Sequence, residues 1–218
     1  NTPAEYVWWE KKDDALVVHA TIKDARIFSH KLVLRRELTF STTENVLTIS
    51  DTVENEGDTL SPLMLLYHIN IGYPLLSENA EVVIPSVKVM PRNEHAADGL
   101  DSWMKMLPPI TGFEEQCYYH TFDQFGKALI YNPDIGMGLK ISFDASNLER
   151  FCEWKMMGEH DYVLGLEPGN CTPDGRNVLR NKGTLKFLHP GESQHFQVKV
   201  RFFSGLDEWA KQKKEARE

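Results

Sequence analysis

Cysteine is scarce in this chain of 218 residues, and the spacing of the cysteines matches no common disulfide or zinc-binding pattern. Cys117, Cys152 and Cys171 are odd in number, and no Cys-x-x-Cys pair occurs. This pattern argues against both a disulfide scaffold and a zinc knuckle. Because reduced thiols are the ordinary state of cysteine in the cytoplasm, we expect a cytoplasmic protein.

Long apolar runs, basic runs and cofactor motifs are also missing. No stretch approaches the roughly 18 apolar residues that span a bilayer. The net charge is -8, so neither nucleic acid nor an anionic membrane is expected as a partner. The sequence lacks HExxH, paired Cys/His spacing, a strand-linked GxGxxG, a Walker loop and GxSxG. We therefore expect no metal, no cofactor and no serine hydrolase site.

Strand-like runs dominate what is present. Long β-branched and apolar segments alternate with short polar turns, as is typical of antiparallel sheets. Few helices interrupt them, which predicts an all-β fold, a large antiparallel β-sandwich, formed as one domain over residues 1–218. The predicted strands are Ala15–Ile22, Lys31–Phe40, Asn45–Val53, Pro62–His68, Glu81–Val89, Glu115–Phe122, Lys127–Tyr131, Met137–Phe143, Asp161–Leu166, Gly183–Phe187 and Gln194–Arg201.

Three other segments read differently. Pro91–Gly112 is predicted as a loop, and a loop of this length is usually functional or mobile. Ser146–Lys155 is predicted as a short helix or an irregular segment. Leu206–Glu218 is predicted as a helix that is charged all round and forms a frayed tail.

Two polar residues lie at the ends of apolar strand-like runs. His68 follows Leu65–Tyr67, and Glu167 follows Tyr162–Leu166. Burying an ionisable group is costly unless it is paired or neutral and hydrogen-bonded, so the two side chains are candidates for an acid–base pair. Taken singly, His68 could be a satisfied half-buried histidine, and Glu167 could stabilise a turn.

Further candidates lie near these two residues in the sequence. The indole of Trp154 could pack on the apolar face of a sugar ring, or it could be a core residue. Lys155 could hold hydroxyls or an anionic group, and Asn70 could bond hydroxyls. These residue types together favour a carbohydrate as the small-molecule partner.

The segments Tyr67–Leu76 and Gly165–Asn170 resemble the histidine-bearing and glutamate-bearing motifs of the aldose 1-epimerases, or galactose mutarotases. The closer resemblance is to a bacterial branch of largely unassigned substrate. The resemblance implies a large β-sandwich with a sugar cleft on a concave sheet and a mechanism without a cofactor. It implies that His68 is the general acid that protonates the ring oxygen. It implies that Glu167 is the general base that takes the anomeric proton.

The resemblance also implies residues that are not found here. The sugar-binding Arg and an earlier His of the family would lie at or before Asn1, where no initiator Met occurs. We therefore expect that N-terminal strands are missing. The family's sugar-binding Asp has no clear counterpart; Glu115 falls closest, with His120 as a weaker companion. Either residue could equally be an ordinary strand residue.

The sequence thus predicts a carbohydrate epimerase of the aldose 1-epimerase type. One alternative is an isomerase or lyase that acts on a uronate, with Lys155 holding the carboxylate. Another is a sugar-binding protein without catalysis, and a third is a structural β-domain in which His68 and Glu167 lie far apart. The oligomeric state is open, and a homodimer is among the alternatives.

Overall fold

A computed structural model describes residues 2–217; Asn1, near which the missing family residues were expected, lies outside them, as does Glu218. The all-β prediction is confirmed, since strands far outnumber helices among these residues and the strands pair antiparallel. The elements are β1 (Tyr6–Lys12), β2 (Ala15–Ala25), β3 (Lys31–Ser41), β4 (Val46–Asn55), β5 (Ser61–Leu63), β6 (Ile69–Ile71), β7 (Glu81–Val83), β8 (Lys88–Pro91), α1 (Glu94–Asp98), β9 (Gln116–Thr121), β10 (Phe125–Asn132), β11 (Met137–Asp144), β12 (Arg150–Met157), β13 (Tyr162–Gly169), α2 (Arg176–Asn181), β14 (Lys186–Leu188), β15 (Ser193–Ser204) and α3 (Leu206–Arg217).

The chain forms two compact units. The first unit comprises Asn1–Met64 and Asp174–Val200, and the second comprises Leu65–Pro173 and Arg201–Glu218. Because β15 runs from residue 193 to residue 204, its last four residues belong to the second unit. The expectation of a single domain stays a prediction.

The first unit is built on long antiparallel strands in the order β1-β2-β3-β4-β15. Short polar turns join β1 to β2 and β3 to β4, so strands that follow one another in sequence pair side by side. Val17 and Val53 are buried on this sheet, with 1% and 5% of their surface exposed. The short strands β14 and β5 pair separately within the same unit.

The second unit contains a five-stranded antiparallel sheet in the order β6-β13-β12-β9-β8. Its central strands, β12 and β13, pair from Arg150 opposite Gly169 to Met157 opposite Tyr162. In the same unit β11, β10 and β7 lie side by side, and the end of β15 lies beside β11. The residues of the candidate site described below lie in the five-stranded sheet or next to the ends of its strands.

The prediction for Ser146–Lys155 is wrong from Arg150 onwards, because that part is the central strand β12. One face of the strand is buried throughout, and Glu153 and Lys155 are buried polar residues on it, each at most 2% exposed. A buried strand with polar residues on one of its faces shows no apolar alternation. The sequence pattern therefore did not indicate a strand at β12.

The strand predicted over Pro62–His68 is also shorter than expected. Regular pairing covers Ser61–Leu63, a single bridge joins Leu66 to Gly169, and pairing resumes only at Ile69. His68 thus lies in the break just before β6. Strand geometry therefore does not fix the face to which its side chain points.

The helix α3 begins at Leu206 as predicted, but the expectation of a frayed tail is wrong. Trp209 is buried, and its ring stacks on Tyr131 and Phe203 at centroid distances of 5.3 and 6.1 Å. Its Nε1 donates to Glu81 Oε2 at 3.1 Å. One buried aromatic residue in an otherwise charged helix anchors the segment, which composition alone does not reveal.

Candidate active site

One face of the five-stranded sheet collects the polar residues of the site. Successive side chains in a strand point to opposite faces, so Gly165 and Glu167 of β13 share a face. Cross-strand register places Cys152 opposite Glu167, and Trp154 opposite Gly165. Asn70 of β6 lies on the other side of Gly165, so a continuous row crosses the sheet.

His68 and Glu167 come together on this face. His68 Nδ1 lies 3.0 Å from Glu167 Oε1 and 2.8 Å from Asn70 Oδ1. Both neighbours are oxygen acceptors, so we assign the proton of the neutral ring to Nδ1, which leaves Nε2 to exchange a proton. The imidazole is half exposed, whereas the carboxyl group has 3% of its side-chain surface exposed.

The contact between the two rests on charge rather than on a well-aligned hydrogen bond. Nδ1 donates to Asn70 Oδ1, and among the described residues Glu167 Oε1 accepts no hydrogen bond despite its burial. A buried oxygen without a donor is costly in a folded protein.

Burial controls the protonation of Glu167. It raises the pKa of this carboxyl to about 7, the charge of His68 opposes the rise, and the charge of Glu115 adds to it. A carboxyl group with a pKa near neutrality can take up and release a proton at ordinary pH. General acid–base chemistry requires this property.

Gly165 makes room for the carboxylate. A Cβ at this position would lie 2.4 Å from Glu167 Oε1 and 3.2 Å from the Cβ of Trp154. An added side chain would force the carboxylate to move, so the carboxylate occupies space that glycine leaves open.

Trp154 and Glu115 form the next part of the site. Trp154 Nε1 donates to Glu115 Oε2 at 2.7 Å, and Arg92 Nη1 lies 3.7 Å from Glu115 Oε1. The rings of His68 and Trp154 meet edge to face at a centroid distance of 5.5 Å. The indole is thereby fixed between a carboxylate and the candidate acid.

A cleft of about 530 Å³ opens beside these residues. Its size is within the range of small-molecule sites, roughly 300–1,000 Å³. Its lining combines apolar surface with two carboxylates, from Asn70, Glu115, Trp154, Met156, Asp161, Tyr162 and Val163.

Five of the seven residues proposed from the sequence lie together on this face: His68, Asn70, Glu115, Trp154 and Glu167. The structure does not bring the other two there. Their positions in the strands alternate with those of Trp154 and Cys117, so they point to the opposite face.

His120 and Lys155 are both buried on that opposite face. His120 contacts Ser86 Oγ at 3.0 Å and Glu153 Oε2 at 3.4 Å. Lys155 Nζ donates to the carbonyl of Lys105 at 2.8 Å, and burial lowers its pKa. These contacts anchor the segment that precedes β9, and they give no support to a role in holding a sugar or a uronate carboxylate.

The sequence analysis did not identify Arg92, Gly165, Cys117 and Cys152 as parts of this face. Gly165 sits two residues before Glu167, and the strand alternation could have indicated it. Arg92 lies just beyond β8, in the segment predicted as a loop, so no local pattern marks it. The two cysteines are far apart in sequence and meet only through strand pairing.

Two general features of the described part of the chain bear on the site. Residues 2–217 contain no group of three or more side chains arranged to hold a metal ion. None of the helices in that range combines the length and the apolar character needed to cross a membrane.

Solved structures share this fold. A putative aldose 1-epimerase from Klebsiella pneumoniae is 25% identical, with a TM-score of 0.93 over 99% of this chain. A galactose mutarotase-like protein from Clostridium acetobutylicum is 18% identical, with a TM-score of 0.64 over 91% of this chain. A galactose 1-epimerase from Lactobacillus acidophilus is 13% identical, with a TM-score of 0.66 over 91%. The predicted resemblance and the galactose mutarotase-like sandwich are confirmed by these structures.

The lengths differ. This chain spans 59% of the Klebsiella protein and 66% of each of the other two. No curated protein matches it in sequence. A family model described as "Domain of unknown function (DUF4432)" matches residues 1–202, and the chain therefore belongs to that family.

Proposed function

We propose that this protein interconverts the anomers of a free aldose or a sugar derivative, with Glu167 as general base and His68 as general acid. The observation that carries the proposal is the 3.0 Å approach of His68 Nδ1 to Glu167 Oε1 on the face that bears a sugar-sized cleft. The likeness to structures named aldose 1-epimerases and galactose mutarotases supports it.

The reaction needs two proton transfers in each direction. Glu167 takes the proton of the anomeric hydroxyl while His68 gives a proton to the ring oxygen, and the bond between C1 and the ring oxygen breaks. The open-chain aldehyde rotates about C1–C2, and the ring closes on either face as each group reverses its role. Transfers of this kind contribute about 10²–10⁴-fold each.

The local electrostatics suit this assignment. Attraction to the ring of His68, whose Nδ1 lies 3.0 Å away, favours the ionised Glu167 carboxylate that the proposed base requires. Burial works against the carboxylate and brings the pKa of Glu167 to about 7, so the group remains able to keep or lose a proton. Asn70 acts as a positioning residue, because its Oδ1 accepts from Nδ1 and orients the ring.

The remaining cleft residues supply sugar contacts in this proposal. Trp154 offers an apolar ring surface, and Glu115 and Asn70 offer acceptors and donors for hydroxyls. Carboxylates and amides arranged around one aromatic ring are typical of carbohydrate sites. Between residues 2 and 217, the site offers no cation for the carboxylate of a uronate, because Lys155 faces away and Arg92 is already paired with Glu115. A neutral sugar therefore fits this site better than a uronate does.

Saturation-transfer NMR and polarimetry on a panel of aldoses would test the proposal. Unaltered protein is expected to accelerate at least one interconversion. Glu167→Gln and His68→Ala are each expected to lower the rate by about 10²–10⁴-fold. Glu114→Gln is the matched control, because that carboxylate lies next to Glu115 in sequence but 69% of its side chain is exposed.

A different outcome would favour the binding alternative. If the protein accelerates no aldose but calorimetry detects sugar binding that Trp154→Ala abolishes, the fold serves recognition without catalysis. Full activity in either substituted protein would reject the assigned acid–base pair.

A further inference from the structure

Two cysteines lie side by side on the face that carries the candidate site. Cys117 of β9 is opposite Trp154, and Cys152 of β12 is opposite both Tyr119 and Glu167. The two are diagonal neighbours on paired antiparallel strands. Both residues are buried, with 5% and 2% of their surface exposed.

The surroundings distinguish the two thiols. Arg92 Nη1 donates to Cys117 Sγ at 3.7 Å. The hydrogen bond from Cys152 lowers the pKa of the Cys117 thiol, as does the guanidinium of Arg92, while burial and the charge of Glu115 oppose them. The same hydrogen bond and burial raise the pKa of Cys152. The thiol of Cys117 is therefore the more acidic of the two.

We propose that Cys117 and Cys152 are a peroxide-reactive dithiol that closes to a disulfide beside Glu167. The diagonal placement of the two cysteines on paired strands and the guanidinium at Cys117 carry the inference. The oxidant is hydrogen peroxide, a molecule little larger than water, which suits a buried pair. The modification goes beyond anomer interconversion and does not depend on it.

The chemistry balances in two steps. The Cys117 thiolate attacks one peroxide oxygen; an S–O bond forms, the O–O bond breaks, and the departing hydroxide takes up the proton that the Cys117 thiol released to solvent when it ionised. The sulfur of Cys152 then attacks the Cys117 sulfenic acid. An S–S bond forms, the S–O bond breaks, and the departing hydroxide takes the proton that Cys152 releases. Two thiols are oxidised, and one peroxide is reduced to two waters.

Formation of the disulfide would move the strands next to Glu167. Diagonal neighbours in a sheet lie farther apart than a disulfide needs, so closure would draw β9 and β12 together. Cys152 is the cross-strand neighbour of Glu167, and the movement therefore acts directly on the candidate base. A disulfide formed under such strain is readily reduced.

Mass spectrometry of the folded protein after treatment with hydrogen peroxide would test the proposal. The intact mass is expected to fall by two hydrogen atoms and to return after dithiothreitol. Peptide mapping is expected to join Cys117 to Cys152. In Cys152→Ser the disulfide is expected to be lost, and dimedone should label Cys117. Neither readout requires a sugar or any activity.

Cys171 provides the matched control. It is also buried, but its thiol donates to the carbonyl of Leu65 at 3.9 Å rather than to a second cysteine. Cys171→Ser is expected to form the same disulfide as the unaltered protein. The proposal is overturned if the folded protein forms no crosslink while urea exposes all three thiols, or if dimedone labels Cys171 as fast as Cys117. Should Cys152→Ser fail to fold, peptide mapping of the unaltered protein alone decides.

Discussion

Replacing Glu167 by Gln is expected to make the protein more stable and at the same time inactive. The carboxyl group of Glu167 is ionised above neutral pH although it is buried and lacks a hydrogen-bond donor at Oε1. Glutamine has nearly the same shape and cannot ionise. The substitution therefore removes the cost of burying a charge together with the proposed base.

The size of the stabilisation follows from the pKa. Burial raises the pKa of Glu167 from 4.5 to about 7, and each pH unit of difference corresponds to about 1.4 kcal/mol. The folded state thus binds the proton more tightly than the unfolded chain. The wild-type free energy of unfolding falls as pH rises from about 4.5 to about 7 and stays lowered above that range.

The glutamine variant is free of this loss. Below about pH 4 both proteins are uncharged at this position and should be equally stable. Above about pH 8 the variant should gain up to roughly 3 kcal/mol, an upper limit because water in the cleft reduces the penalty. For a chain of this length the gain corresponds to a rise of roughly 6–12 °C in melting temperature.

Urea denaturation at the two pH values, followed by circular dichroism, measures the effect. Glu114→Gln is the control, because 69% of that side chain is exposed and its removal should leave the free energy of unfolding nearly unchanged. Equal stability of Glu167→Gln and wild type at high pH would show that the carboxyl group carries no burial penalty. The reasoning about its raised pKa would then be refuted.

Three further predictions concern the neighbours of Glu167 and the helix α3. Glu115→Gln should move the acidic limb of the kcat/KM profile to lower pH, since the charge of Glu115 raises the pKa of Glu167; an unmoved limb would contradict this coupling. Gly165→Ala should lower the anomer interconversion rate by about 10²-fold through displacement of the Glu167 carboxylate, with an unchanged circular dichroism spectrum. Trp209→Ala should lower the free energy of unfolding in urea by about 3–5 kcal/mol, and a loss below about 1 kcal/mol would mean that α3 is not anchored there.

Most of the long strands could be predicted from sequence because their environments alternate or their turns are explicit. Lys31–Ser41 and Val46–Asn55 are joined by a short polar turn, and their pairing follows from it. The meeting of His68 and Glu167 was also predictable in part. A polar residue that ends an apolar run is conspicuous, and the sequence contains two such residues, His68 and Glu167.

The wrong predictions have a common physical cause: whether a polar side chain is buried depends on how its strand pairs with distant strands. Glu153 and Lys155 are buried by partners that lie tens of residues away, so β12 does not read as a strand. Once β12 is known to be a strand, Trp154 and Lys155 must point to opposite faces. The sequence prediction put both in one sugar site because the strand had not been recognised.

The edge-to-face contact between Trp154 and His68 gives the protein an intrinsic optical reporter. A protonated imidazole accepts an electron from an excited indole and quenches its emission, whereas a neutral imidazole does so weakly. The emission of Trp154 should therefore follow the charge on the neighbouring ring during a titration. In a protein that keeps Trp154 as its single tryptophan, fluorescence would report the protonation of the site without any added label.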